Sequence, residues 1–134
     1  NVPAASPLLA ADGLSGALVA AKDFGAWGRH PTDMPRSMRD DFCAKLWPLV
    51  QQGRRSHRPC PERVVGMGPT ATAAYYASAQ TVRAVPLTVW QALLAAVSDK
   101  STGAATATML SYSMHIFFGE KAMLKPGLVH SHQS

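Results

Sequence analysis

Charge is scarce in this sequence: Asp, Glu, Lys and Arg make up only 16% of its 134 residues, against 47% hydrophobic residues. That balance excludes a disordered chain and leaves less surface charge than usual, which points to contacts with other protein. Long apolar runs are also missing. None reaches the roughly 18 residues needed to cross a bilayer, because Asp12, Gly13, Lys22 and Asp23 interrupt the candidates near the start. No transmembrane segment is therefore expected. The strongly specific catalytic signatures are absent too: there is no Gly-rich phosphate loop, HExxH, paired CxxC or Ser nucleophile elbow. Gly66-Met67-Gly68-Pro69-Thr70 has the outline of a phosphate turn. It lacks the Lys and the glycine spacing, and reads as a turn between strands.

Cysteine is limited to Cys43 and Cys60. The loop between them is short enough to be closed by a disulfide, and a bridged pair implies a secretory lumen. Two free thiols imply an organelle matrix or cytoplasm, and the residues alone leave both open. Thirteen Lys and Arg against eight Asp and Glu give a formal charge of +5. The excess is concentrated in one stretch holding Arg29, Arg36, Arg39, Lys45, Arg54, Arg55, Arg58 and Arg63. Arg54, Arg55, Arg58 and Arg63 are candidate anion-binding residues, because a guanidinium group grips phosphate with two hydrogen bonds. A solvated Arg-rich loop is the plainer alternative. The candidate partners are other protein subunits and an anionic polymer or RNA, although the aromatic platforms of common RNA-binding modules are missing.

Length sets one domain as the default. Residues 1–7 read as an extended Pro- and Ala-rich arm, 8–125 as a single α+β domain, and 126–134 as a polar tail. The chain begins at Asn1 rather than Met, as expected after removal of a targeting segment or in a fragment. The expected architecture is three or four helices packed on a small incomplete sheet. A short helix is expected within Leu8 to Lys22. A stronger one follows Asp33 as its cap, with Pro35 in its first turn, Met38, Phe42, Leu46 and Leu49 along one face, and a kink or end at Pro48. Val64 and Val65, then Thr70 to Ser78, read as short strands. Ser78 caps a helical turn, Pro86 starts a helix whose stripe Val89, Trp90, Leu93, Leu94 and Val97 should be core, and a last helix runs from about Ala105 to Phe118 before Gly119.

Five histidines are present. His130 and His132 are the only close pair and read as part of a solvated tail, since two ligands do not hold a metal unaided. His30 and Asp33 form a compact polar cluster, with Asp33 favoured as a helix cap. His115 lies among Met114, Ile116, Phe117 and Phe118, where a hydrogen-bonded core histidine is the plain reading.

An order of features runs from Ala77-Ser78 through Val82-Arg83, Pro86, Trp90 and Leu93-Leu94 to Met114-His115-Ile116-Phe117-Phe118-Gly119-Glu120, preceded by Arg29-His30-Pro31 and Pro35. In these features the chain resembles an uncharacterised glycosyltransferase-like family of fungi and algae, over the C-terminal half of such proteins. The resemblance implies a C-terminal part or reduced relative that is not catalytic alone. The nucleotide-sugar site and acidic metal motif belong to an N-terminal half. In a complete transferase a sugar would pass from a nucleotide donor to a hydroxyl acceptor, with a divalent metal holding the diphosphate. The resemblance then implies His115 as a metal ligand and His30 and Asp33 as catalytic residues on the acceptor side. The chain alone is expected to bind no cofactor. The alternative is a small basic structural subunit of a large protein or ribonucleoprotein assembly.

Overall fold

A computed structural model describes residues 24–28, 30–54, 57–69 and 74–130; the arm and the helix expected before Lys22 lie outside these residues, as does Arg55. The architecture is α+β. The strands are β1 (Phe24–Trp27), β2 (Thr32–Asp33), β3 (Val65–Gly66), β4 (Ala74–Ala77) and β5 (Val129–His130). The helices are α1 (Arg36–Lys45), α2 (Trp47–Arg54), α3 (Ala79–Ala84), α4 (Leu87–Ser98) and α5 (Gly103–Phe117).

β1 is central in a sheet of order β4-β1-β5, antiparallel to β4 from Phe24↔Ala77 to Trp27↔Ala74 and parallel to β5 at Ala26↔Val129. Parallel neighbours need a long crossover, and here every helix of the described chain lies within it. Residues 126–130, read from the sequence as the start of a polar tail, form a 3-10 turn at Pro126–Leu128 and then β5. Tyr75 of β4 fastens this sheet to α5: its hydroxyl donates to the Ser111 carbonyl at 2.6 Å and accepts from the Met67 N–H at 3.2 Å. Burial pushes its phenol up to about 12.

β2 and β3 form a separate antiparallel ribbon, with Asp33 opposite Val65. Asp33 therefore sits in a strand and does not cap α1. The capping position belongs to Pro35, whose extended backbone starts the helix without any side-chain cap. The run read as one helix past Pro35 divides at Leu46, and Pro48 falls in the first turn of α2, where its missing N–H leaves no intrahelical bond unmade. Ser78 caps α3 through a bond from the Thr81 N–H at 3.1 Å. Asp99 accepts from the N–H groups of Ser101 and Thr102 and from the Ser101 hydroxyl, and these bonds hold its carboxyl down to about 2. α5 ends at Gly119 with φ +97°, the left-handed conformation glycine adopts without penalty.

The main core gathers Phe42, Val50, Val89, Leu93 and Ile116 from four helices, with Leu46 from the junction of α1 and α2. A second cluster of Phe24, Ala26, Met67 and Leu124 lies under the sheet, and Phe118 touches both. The stripe expected on α4 is narrower than its sequence suggested. Val89 and Leu93 are 0% and 4% exposed, Trp90 and Val97 are half-buried, and Leu94 is 65% exposed. A step of one residue turns the helix by about 100°, so Leu94 points away from the α2 and α5 surface that covers Leu93.

Cys43 of α1 and Cys60 are bridged, with Cα atoms 5.7 Å apart. The bond closes a loop that carries Arg58, whose carbonyl accepts from Trp47 Nε1 at 3.0 Å and Gln51 Nε2 at 2.7 Å.

Two stability outcomes follow. Leu93→Ala should cost about 2–5 kcal/mol through lost transfer energy and a cavity, while Leu94→Ala should stay within about 0.5 kcal/mol; urea unfolding compares them. Replacing both cysteines by Ser, across a sequence separation of 17, should cost about 3 kcal/mol on the loop-closure model, read in the same assay under non-reducing conditions.

Candidate functional site

A cleft of about 450 Å³ opens where α2, the α3–α4 junction and the end of α5 meet. Its floor is apolar, formed by Leu49, Val50, Val85, Val89, Phe117 and Phe118. Arg54, Gln80, Thr81 and Glu120 supply its polar groups. Each is placed by a helix end. Arg54 closes α2 and donates from Nη2 to the Gly119 carbonyl at 2.7 Å, neutralising part of the negative end of α5. Glu120 follows the glycine that stops α5, and Thr81 lies in the first turn of α3 beside Ser78, with their hydroxyls 2.8 Å apart. A cleft of this size, with an apolar floor and polar groups on its rim, lies within the range of small-molecule sites.

The site residues read from the sequence are not gathered here. His30 and Asp33 are exposed at the β2 end of the molecule. Arg63 binds Asp33 with two bonds, Nε to Oδ1 at 2.6 Å and Nη2 to Oδ2 at 2.9 Å. The hydrogen bond from Arg63 holds the Asp33 carboxyl below its ordinary value, and the cation's charge acts in the same direction. Arg63 is thus occupied by a carboxylate. Arg54 lies on the large cleft, and together with Arg58 it also lines a recess of about 230 Å³ beside Trp47 and Gln51. The candidate anion-binding arginines in the described residues are consequently divided between two regions.

His115 is 0% exposed. Its Nε2 lies 2.9 Å from the Ala122 carbonyl, which can only accept, so Nε2 carries the proton and Nδ1 keeps a lone pair. That Nδ1 is buried without a partner among the described residues. No group of three His, Cys, Asp or Glu side chains placed to hold a metal ion occurs among the described residues. None of His115, Asp33 and His30 lines the cleft or the recess.

A second feature lies on α4. The helix LTVWQALLAAVS carries no charged residue, and two of its leucines, Leu87 and Leu94, are 69% and 65% exposed. They are one heptad apart and so share a face, with half-buried Trp90 and Val97 completing a row at i, i+3, i+7 and i+10. The Trp90 indole N–H is satisfied by the Val82 carbonyl at 3.3 Å, which leaves the ring as an apolar surface beside exposed Val82. The missing charge in α4 is a signal that the sequence carries; Gln80 and Glu120 had none, since only the fold brings them to Arg54. Comparison with known proteins finds no matching family, no matching curated protein and no matching solved structure.

Burial lowers the His115 pKa below its ordinary 6.5, and the bond to Ala122 opposes the shift only in part. The unfolded chain therefore takes up this proton before the folded one does. The stability linked to His115 is full above about pH 6.5 and is lost as pH falls below it. Urea midpoints measured from pH 8 to 5 should decline more steeply for the wild-type chain than for His115→Gln; parallel profiles would assign the decline to other groups.

Proposed function

We propose that this domain is a non-catalytic subunit that docks into a larger assembly through the outer face of α4. The observation that carries this reading is the row Leu87, Trp90, Leu94 and Val97 on a helix without charge. Thr88, Gln91 and Ser98 give the helix an exposed polar side, so the leucine row is an apolar strip beyond the face that α4 turns to its own core. Covering a leucine contributes about 1.5–3 kcal/mol, and two exposed ones in register give a partner helix a seam to follow.

Charge chooses among the occupants. Arg83 stands before the row and Lys100 after it, on a chain of formal charge +5; the Asp99 carboxylate beside Lys100 is turned into its own loop. Two copies laid antiparallel along this row would bring Arg83 of one toward Lys100 of the other, which disfavours self-association. A membrane surface fits poorly because α4 carries no Lys or Arg to meet lipid headgroups. No helix among the described residues is long and apolar enough to cross a membrane. The occupant that suits these features is an amphipathic helix of another protein, with an apolar i, i+3, i+7 row bordered by Asp and Glu.

The glycosyltransferase-like reading is a special form of the same proposal. In it the partner helix belongs to the upstream half that brings the nucleotide-sugar site, the acidic motif and the divalent metal. The dispersal of His30, Asp33 and His115 supports leaving that chemistry to the other half. Of the candidate anion-binding arginines among the described residues, an RNA or anionic polymer would be left with Arg54 and Arg58, because Arg63 is already paired. The disulfide fits an oxidising compartment such as the secretory lumen.

The test uses a designed helical peptide with Leu at the seam positions and Glu on both borders, titrated into the labelled chain and followed by amide NMR shifts. Shifts should centre on Leu87 to Val97. Affinity should exceed that of a Lys-bordered peptide by about tenfold or more, the scale of a favourable charge pattern. It should be lost in the Leu87→Ser, Leu94→Ser double variant, which touches only exposed positions. Equal binding of both peptides, concentration-dependent dimerisation in light scattering, or preferential binding to anionic vesicles would overturn the assignment.

A further inference from the structure

The cleft between α2, α3 and α5 is a separate surface from the row on α4. Val89, which lines it, lies roughly 140–160° around the helix from Leu94 and Leu87 at about 100° per residue. A partner on the outer face would leave the cleft open. Its chemistry is specific enough to name a ligand class.

The rim carries one charge of each sign. Arg54 spends one N–H on the Gly119 carbonyl, and its remaining donors meet no carboxylate within the described residues. Glu120, half-buried on the same rim, has no cationic partner among those residues. A simple anion would be drawn to Arg54 but repelled by Glu120 and by the negative end of α5. A simple cation would meet the reverse conflict. The Arg54 guanidinium reaches the backbone one residue before Glu120, so both groups belong to the same side of the cleft. Opposite charges on one rim that do not pair with each other suit a ligand that carries both signs itself. Beneath them, Leu49, Val85 and Phe117 offer an apolar floor in a chamber of about 450 Å³, within the size range of small-molecule sites.

We propose that this cleft binds a free α-amino acid with a large apolar side chain, in its zwitterionic form. The carboxylate meets the Arg54 guanidinium, which is preorganised by its bond to Gly119. The ammonium meets the Glu120 carboxylate and the carbonyl end of α5. The side chain covers the floor of Leu49, Val85 and Phe117, and Gln80 lies within the same rim to complete the hydrogen bonding. Both charged contacts are charge-assisted, so each discriminates against a ligand that lacks its partner.

The intact chain, with its disulfide formed, is titrated with L-phenylalanine, L-phenylalaninamide, N-acetyl-L-phenylalanine and L-alanine, with amide NMR shifts as readout. Phenylalanine should bind with a Kd below about 1 mM, and each of the other three at least tenfold more weakly, about the loss of one good polar contact or of the apolar one. The amide removes the anion, the acetyl group removes the cation, and alanine removes the apolar body. Glu120→Gln should erase the preference over the acetylated ligand but keep that over the amide; Arg54→Gln should do the opposite. Should Arg54→Gln unfold through loss of its bond to Gly119, the wild-type panel with Glu120→Gln decides the matter. No saturable binding of phenylalanine, binding of either blocked form as tight as that of phenylalanine, or shifts lying away from the cleft would overturn the proposal. The Leu87→Ser, Leu94→Ser variant should bind phenylalanine unchanged, so failure of the docking surface and failure of this site are read separately.

Discussion

The joint between the β2–β3 ribbon and α5 depends on a side chain that is not there. A Cβ on Gly66 would run into the Tyr112 carbonyl of α5 and press on the His115 ring. With hydrogen in that place, β3 lies directly against the helix. The contact fixes the segment after α5 as well. The Ala122 carbonyl accepts from both His115 Nε2 and the Val65 N–H, and the Leu124 N–H donates back to Val65. Leu124 is thereby set into the cluster under the sheet, while Phe118 reaches from the end of α5 to Phe24 and Trp90. One missing methyl group thus connects the ribbon, the longest helix and the sheet. The same joint explains the buried imidazole: Nε2 holds the returning chain, and the unpartnered Nδ1 is a cost of placing the ring under Gly66.

The helical layer was largely legible in the residues because its signals are local. Ser78 and Pro86 mark helix starts, Gly119 marks an end, and Met109 and Ile116 lie at helical spacing on a buried face. The sheet was much less legible. β1 is four residues with a glycine among them, packed so closely that a Cβ on Gly25 would overlap the Tyr76 ring. Its parallel partner β5 lies far along the chain, and two residues have no periodicity to read. Asp33 shows how a local signal can be overridden. It has the chemistry of a helix cap three residues before α1, yet the bidentate bond with Arg63 and the ribbon pairing with Val65 hold it in a strand. On α4, periodicity identified the helix but not which of its two apolar sides faces the core. That depends on where α2 and α5 lie, and no property of Leu94 itself supplies it.

The candidate sites divide in the same way. The arginines were visible as a cluster in sequence, but the fold separates them by giving Arg63 to Asp33 and Arg54 to Gly119. Glu120 gains meaning only beside Arg54. The charge-free span of α4 was visible throughout, although its reading as a surface needed the exposure of Leu87 and Leu94.

The position of β5 also governs how the domain is made. β1 is the first described strand, yet its parallel partner begins at Val129, after all five helices. During synthesis the central strand therefore waits beside β4 with one edge unmatched, while the helices form from contacts close in sequence. An unpaired edge beside Phe24 and Ala26, which the finished domain buries, is the kind of surface that recruits other chains. Vectorial production of this domain thus contains an interval in which the helical layer is already assembled but the sheet can still be completed by the wrong strand.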